Sequence, residues 1–223
     1  MKTEIYGLLS YWNSADLVEY AIQSVLPFCS RIIAADGRYR DFAPKESVES
    51  TDGSREIVNK YTQINSHAPR KGWPSQISKQ NYLFSKVPKG NYFLVFDSDE
   101  LFFGSKKHWL RWLQTKPKNG WVREWQFDRY LRLRPRIHFK EGQIEMRGTH
   151  YHIYEDDKPL YYSFHQLDKA EHLAPLHFLH LLNSRKDAYY QQKMAFYMQR
   201  QKTKVEDNPL FAAESMDQEA LTD

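Results

Sequence analysis

Apolar residues in the first hundred positions come in short runs separated by polar turns, and each run predicts one element. Residues 5–11 form an apolar run of strand length. After Trp12 the chain turns polar through Asn13-Ser14-Ala15-Asp16, where Asn13 suits a helix cap and Asp16 the positive end of the following helix. Leu17, Val18, Ala21, Ile22, Val25 and Leu26 then recur with helical spacing, which predicts a helix stopped by Pro27. Residues 31–35 predict a second buried strand, ended by the turn pair Asp36-Gly37. Thr51 or Asp52 can cap another helix carrying Ile57, Val58 and Tyr61, residues 62–65 form a weak strand, and residues 76–87 predict a helix closed by Pro88-Lys89-Gly90. Tyr92-Phe93-Leu94-Val95-Phe96 is apolar at every position, as a strand buried on both faces of a parallel sheet is, and it ends in Asp97-Ser98-Asp99-Glu100.

Strand and helix alternating in this order predict a mostly parallel α/β sheet with right-handed crossovers. Ligands of such sheets bind outside the carboxyl ends of the strands. Three polar clusters fall at those ends: Trp12-Asn13, Asp36-Gly37 and residues 97–100. The second half is less regular. Residues 106–114 read as a short helix, 121–130 and 137–154 as strands, 176–182 as a further strand and 185–201 as a final helix. Residues 1–204 are therefore expected to form one domain, with 205–223 as a flexible acidic tail.

Composition narrows the class. With 223 residues, 41% of them hydrophobic, the chain can bury a substantial core. Its single cysteine, Cys29, rules out an internal disulfide framework and fits a reducing compartment. No apolar run approaches the roughly 20 residues of a membrane span, and the start carries no signal-peptide core, so the cytoplasm is expected. The net charge of +4 conceals a division: residues 1–100 hold 12 basic and 12 acidic side chains, residues 101–204 hold 20 and 10, and residues 205–223 hold 0 and 6. A basic central block favours an anionic ligand or surface.

The sharpest chemical feature is Asp97-Ser98-Asp99. On an extended segment side chains two apart share a face, which would aim both carboxylates at one ligand. Mutual repulsion between them is relieved by a hard cation such as Mg²⁺ or Mn²⁺, and Mg²⁺ commonly combines one or two carboxylates with substrate phosphates. The plainer reading is a turn or cap, which the position after a buried strand disfavours.

The matching pieces extend beyond this motif: Asn13 after the first strand, Ala21-Ile22-Gln23-Ser24-Val25, Ile32-Ile33-Ala34-Ala35-Asp36-Gly37, Ser50-Thr51-Asp52-Gly53-Ser54, and Tyr92 through Glu100. In this order they resemble the nucleotide-binding half of family 2 glycosyltransferases of the GT-A fold. A weaker likeness continues through Arg136-Ile137-His138-Phe139, Arg147-Gly148-Thr149-His150 and His180-Leu181-Leu182-Asn183-Ser184-Arg185. The resemblance implies a GT-A-like, mostly parallel Rossmann-type sheet flanked by helices. Residues 1–104 would form the nucleotide-sugar-binding half and 105–204 an irregular acceptor-side half with the final helix.

It also implies roles. The aspartate at the position of Asp36 contacts the nucleotide base, Asp97 the ribose or the metal through water, and Asp99 the metal. Trp12 and Asn13 line the donor site, and Lys79 and Arg185 are candidates to meet the diphosphate. His180 is the candidate metal histidine, by motif position, among seven histidines that fall between His138 and His180. The sequence departs from the family in lacking the Glu-Asp pair that supplies the catalytic base and the Gln-x-x-Arg-Trp signature. That leaves Asp128, Glu145 and Glu155 as candidate bases for an inverting transfer.

One further segment, residues 123–140, interleaves Arg123, Arg129, Arg132, Arg134, Arg136 and Lys140 with aromatic residues. It reads either as a surface for sugar rings, an anionic acceptor or single-stranded nucleic acid, or as strand faces with solvated arginines. The leading expectation is a hexosyltransferase-type enzyme using Mn²⁺ or Mg²⁺ and a nucleotide-sugar donor, most commonly a UDP-sugar, with nucleic acid the less favoured partner. Rival readings are a metal-dependent phosphodiesterase or nuclease, and a non-catalytic module binding nucleic acid or glycan.

Overall fold

The computed structural model describes residues 3–126, 129–147, 152–159 and 173–180, and for residues 126, 129–133, 135, 152, 173 and 180 it describes the backbone alone. The chain divides into two compact units, Met1–Leu181 and Leu182–Asp223, and every described residue belongs to the first. The expected final helix and acidic tail lie outside the described residues. No described helix is long and apolar enough to cross a membrane.

The first hundred residues build the parallel part of an eight-stranded sheet. Strands β1 (Ile5–Ser10), β2 (Arg31–Ala35), β3 (Ile64–Ser66) and β4 (Asn91–Asp97) lie in the order β3-β2-β1-β4 with every pairing parallel. All six residues of β1 are buried, which suits a strand covered on both faces. Helix α1 (Val18–Val25) buries Val18, Ala21, Ile22 and Val25, and it packs with Val58 of α2 (Ser54–Asn59) on one face of the sheet. Helix α3 (Gln76–Ser85) covers the other face with Leu83 and Phe84.

Two helix starts differ from expectation. Asn13 does not cap α1, which begins after Leu17; the Leu17 and Val18 N–H groups both donate to the Ser14 carbonyl in a preceding turn. Helix α2 begins after Gly53, while Asp52 accepts the Ser54 N–H at 3.0 Å. In both cases the polar residue is drawn toward a neighbouring loop. By contrast α3 starts at a reciprocal cap between Ser75 and Ser78. At its far end the Lys140 ammonium donates to the carbonyls of Phe84 and Val87, each at 2.7 Å, where a cation meets the negative end of the helix.

The second half extends the same sheet with β5 (Glu100–Gly104), β6 (Asn119–Gln126) and β7 (Arg129–Lys140), and with the last described strand, Leu173–His180. A separate antiparallel sheet holds β8 (Ile144–Arg147), β9 (His152–Glu155) and β10 (Lys158–Pro159), which makes Leu173–His180 β11. The full order of the large sheet is β3-β2-β1-β4-β7-β6-β11-β5, and four of its seven pairings are parallel. With helix α4 (Lys106–Gln114) it completes the mostly parallel, helix-flanked α/β architecture of GT-A-like type.

The connection between β4 and β5 shapes this half. Only Ser98 and Asp99 separate them in sequence, yet β7, β6 and β11 lie between them in the sheet. A flat sheet with strands roughly 4.8 Å apart would hold β4 and β5 about 19 Å from each other. Three residue steps from Asp97 to Glu100 reach about 11 Å at most. The sheet must therefore curl. Its interior is aromatic: Phe96 meets Phe102 edge-on with ring centres 6.4 Å apart, and Phe102 stacks on Phe178 at 5.3 Å.

Candidate functional site

The carboxyl ends of β1, β2 and β4 bring together the three polar clusters expected from the sequence. After β1, Asn13 adopts a left-handed backbone, with φ of 43°, which asparagine tolerates better than most residues. Its N–H donates to Ser50 Oγ and its side-chain oxygen accepts the Thr51 N–H, both at 3.0 Å. Ser50 in turn donates its hydroxyl to Asp36 at 2.6 Å. Ser14 donates its N–H to Ser54 Oγ at 3.0 Å, and Ser54 and Ala15 hydrogen-bond to Asp52. Ser98, in the acidic motif, donates its hydroxyl to Ser14 Oγ at 2.9 Å. A network of short polar side chains thus runs from the end of β2, through the Ser50–Ser54 segment, to the end of β4.

Asp36 stands at one end of that network and is fully buried. Its carboxylate accepts from the Gly37 N–H, the Ser50 N–H and hydroxyl, and the Arg55 guanidinium, the last at 3.3 Å. Four donors match the acceptor capacity of a carboxylate. A contact from Asp36 to a nucleotide base therefore requires one of them to yield. Gly37 beside it has φ of 100°, and an added Cβ would lie 2.3 Å from that of Ala68, so the turn needs glycine. Beyond it Arg38 is buried and donates to the carbonyls of Tyr39, Arg40, Phe42, Pro44 and Glu46, wrapping the loop around its guanidinium.

Lys79 lies beneath this edge. Its ammonium is buried and donates to the carbonyls of Tyr11 and Gly37 at 2.8 Å each, which ties the ends of β1 and β2 together. Trp12 is buried too, edge-on to Phe42 at 5.7 Å, so it supports the loop from below. Tyr11 donates its hydroxyl to Asn65, and burial, then the charge of Asp36, push its pKa well above the usual tyrosine range.

The acidic motif is a turn and not the extended segment expected. Asp97 ends β4 and is half-buried, Ser98 and Asp99 form the turn, and Asp99 is buried. The chain reverses here because β5 must leave for the far side of the curl. The donor set still fits a hard cation: two carboxylates on a tight turn offer oxygen ligands and leave positions for phosphate oxygens and water. No group of three or more His, Cys, Asp or Glu side chains placed to hold a metal ion occurs among the described residues. His180, the expected histidine ligand, is the last residue of β11, and its backbone pairs with Glu100 beside Asp99.

The acceptor-side candidates are dispersed. Asp128 and Arg185 lie outside the described residues. Glu145 pairs with Arg147, and Glu155 accepts the Glu141 and Gly142 N–H groups; both sit on the three-stranded sheet, away from the sheet that carries the acidic turn. In the basic segment three cations are turned to internal use. Arg134 pairs with buried Glu124 at 2.8 Å, Arg136 pairs with buried Glu100, and Lys140 caps α3. Sequence reasoning named Glu100 and Arg136 but missed that they pair. The signal available was Glu100 itself, the charge that follows the motif.

No protein-family model matches the chain, and no curated protein matches it in sequence. Among solved structures, 38 chains match. The chain is similar to TarS 1–349 of S. aureus at 14% identity and a TM-score of 0.44, over 57% of this chain and 37% of that one. It is similar to a mycobacterial protein at 14% identity and a TM-score of 0.39, over 56% of this chain and 41% of that one. It is also similar to glucosyl-3-phosphoglycerate synthase of Mycobacterium tuberculosis, crystallised with Mn²⁺ and UDP-glucose, at 14% identity and a TM-score of 0.39. That match covers 56% of this chain and 44% of the synthase, so the chain spans less than half the length of each of these proteins.

Proposed function

We propose that this protein is a metal-dependent glycosyltransferase that moves a sugar from a nucleoside-diphosphate donor, most commonly a UDP-sugar, to an acceptor hydroxyl. The observation that carries the reading is the hydrogen-bonded network that joins Asn13, Asp36 and Ser50–Ser54 to the Asp97–Asp99 turn at the carboxyl edge of a parallel sheet. The loops at Asn13 and Asp36 would shape the nucleoside end of the donor site, with Trp12 and Lys79 beneath them. Asp97 and Asp99 would hold Mn²⁺ or Mg²⁺, with His180 as the further ligand. When bound, the cation supplies Lewis-acid stabilisation of the departing diphosphate. Arg185 belongs to the reading as a second cation toward that diphosphate.

On the acceptor side, β4 pairs with β7 only as far as Leu94 with Ile137, whereas β6 pairs with β7 out to Gln126 with Arg129. The hairpin therefore runs past the end of β4 and can form a wall beside the acidic turn. Asp128, Glu145 and Glu155 stay in the reading as the candidate bases. Cytoplasmic residence belongs to the reading through the single cysteine. The test is turnover of a panel of nucleotide sugars with Mn²⁺ or Mg²⁺. Asp99→Ala is expected to fold and to lose more than about 100-fold in turnover, since even residues behind metal ligands cost up to that much. Absence of both donor binding and hydrolysis in the wild type, or full activity in Asp99→Ala, would sink the proposal.

A further inference from the structure

The two carboxylate oxygens of Glu100 meet different groups. One carboxylate oxygen accepts the Asp97 N–H at 3.0 Å, and the other pairs with Arg136. Both side chains are buried, with 1% exposure for Glu100 and 4% for Arg136. Arg136 reaches from β7 and its guanidinium lies 4.9 Å above the Phe178 ring of β11, so the pair bridges β5 and β7 across the interior of the curl. Such a pair is a poor source of stability, because desolvation offsets most of the Coulomb gain and apolar residues of similar volume commonly replace it without loss. What it can secure is position.

We infer that the Glu100–Arg136 pair is a positioning device for the acidic turn. Arg136 fixes the Glu100 carboxylate, Glu100 holds the Asp97 backbone, and the direction in which Asp97 and Asp99 present their oxygens to a divalent cation follows. The Ser98 hydroxyl on Ser14 anchors the same turn to the loop after β1. With two anchors the turn is held against rotation. The inference rests on the proposed role of Asp97 and Asp99 as metal ligands, and adds that their geometry is set by a pair that touches neither metal nor donor.

The test compares two double variants of the full chain. Glu100→Leu with Arg136→Met removes both charges and the acceptor for the Asp97 N–H. Glu100→Gln with Arg136→Met removes the charges and keeps a carbonyl acceptor. Two readouts are taken: Mn²⁺ affinity in the presence of UDP, by electron paramagnetic resonance, and hydrogen exchange of the Asp97 amide without metal. The Leu/Met variant is expected to unfold cooperatively like the wild type, to bind Mn²⁺ about tenfold more weakly, and to exchange the Asp97 amide about tenfold faster or more. The Gln/Met variant is expected to recover most of both. If the Leu/Met variant fails to fold, Glu100→Leu with Arg136→Leu takes its place as the variant that lacks the acceptor, with the same losses expected. Wild-type Mn²⁺ affinity and amide protection in the variant that lacks the acceptor would overturn the inference while leaving the proposed function standing. A wild type that binds no Mn²⁺ with UDP would overturn the metal-ligand reading, and with it the purpose given to the pair.

Discussion

The two halves of the large sheet hold their polar groups by different means. Around the ends of β1 and β2, short neutral side chains bond to backbone and to one another, as Asn13 does with Thr51, Ser14 with Ser54 and Ser98 with Ser14. The buried charges there meet neutral groups at short range, Asp36 the Ser50 hydroxyl and Lys79 two carbonyls, with Arg55 farther from Asp36 at 3.3 Å. Across the curl formed by β4 to β7 and β11, buried charges are matched in pairs, Glu100 with Arg136 and Glu124 with Arg134. A neutral hydrogen bond contributes about 0.5–1.5 kcal/mol and can be exchanged for one to a ligand. Removing one partner of a buried ion pair costs roughly 3–5 kcal/mol, so that half tolerates no exchange. The first region is built to be contacted and the second to stay fixed.

The contrast can be broken at several points. Arg136→Ala strands the Glu100 carboxylate and is expected to lower unfolding stability by roughly 3–5 kcal/mol, measured in urea. A loss below about 1 kcal/mol would erase the distinction between the halves. Lys79→Met removes a buried cation of the first half and takes the ammonium from the Tyr11 and Gly37 carbonyls. It should cost about 2 kcal/mol, within the range for hydrogen bonds to a charged group. A larger loss than that of Arg136→Ala would reverse the comparison. Ser14→Ala removes the hydroxyl between Ser98 and the Trp12 carbonyl and should cost about 1 kcal/mol in stability while weakening donor binding more than folding.

The smallest effect is one of pH. Burial and the neighbouring Arg123 hold His177 below the usual histidine pKa, and Trp125 donates its indole N–H to His177 Nδ1 at 2.8 Å, which a protonated ring cannot accept. Because the folded state disfavours the charged ring, this contribution is complete above the unfolded value of about 6.5 and fades as pH falls through the lowered folded value. His177 is half-exposed, so solvent screening keeps the effect to about 0.5 kcal/mol or less. Melting curves at pH 7.5 and pH 5 should show a smaller acid loss in His177→Phe than in the wild type.

Legibility in the sequence follows the same division. The elements of the parallel half were readable because their signals are local: an all-apolar run for β4, a helical stripe for α1, and the Pro88-Lys89-Gly90 stop after α3. Strand β5 was not foreseen, although Leu101-Phe102-Phe103 is apolar, because its partner in the sheet is β11, eighty residues onward when Glu100 pairs with His180. Arg136 reads in isolation as a solvated strand residue, and only that long-range closure buries it against Glu100. Asn13 was read as a cap, but its side chain is claimed by Thr51, which is near in space and distant in sequence. Local pattern finds elements, while partner choice among buried charges needs the topology.

The two-residue link between β4 and β5 also sets an order of events. Among the described strands β5 has only β11 as its sheet neighbour, and β11 is the last of them to be synthesised. A chain emerging from its amino terminus can assemble β1 to β4 early, through connections of low sequence separation. The acidic turn, however, acquires its shape only once residues 173–180 have arrived to seat β5. Competence to hold a cation at that turn would then mark completed folding, and nascent chains that stop short of β11 would carry the motif without its geometry.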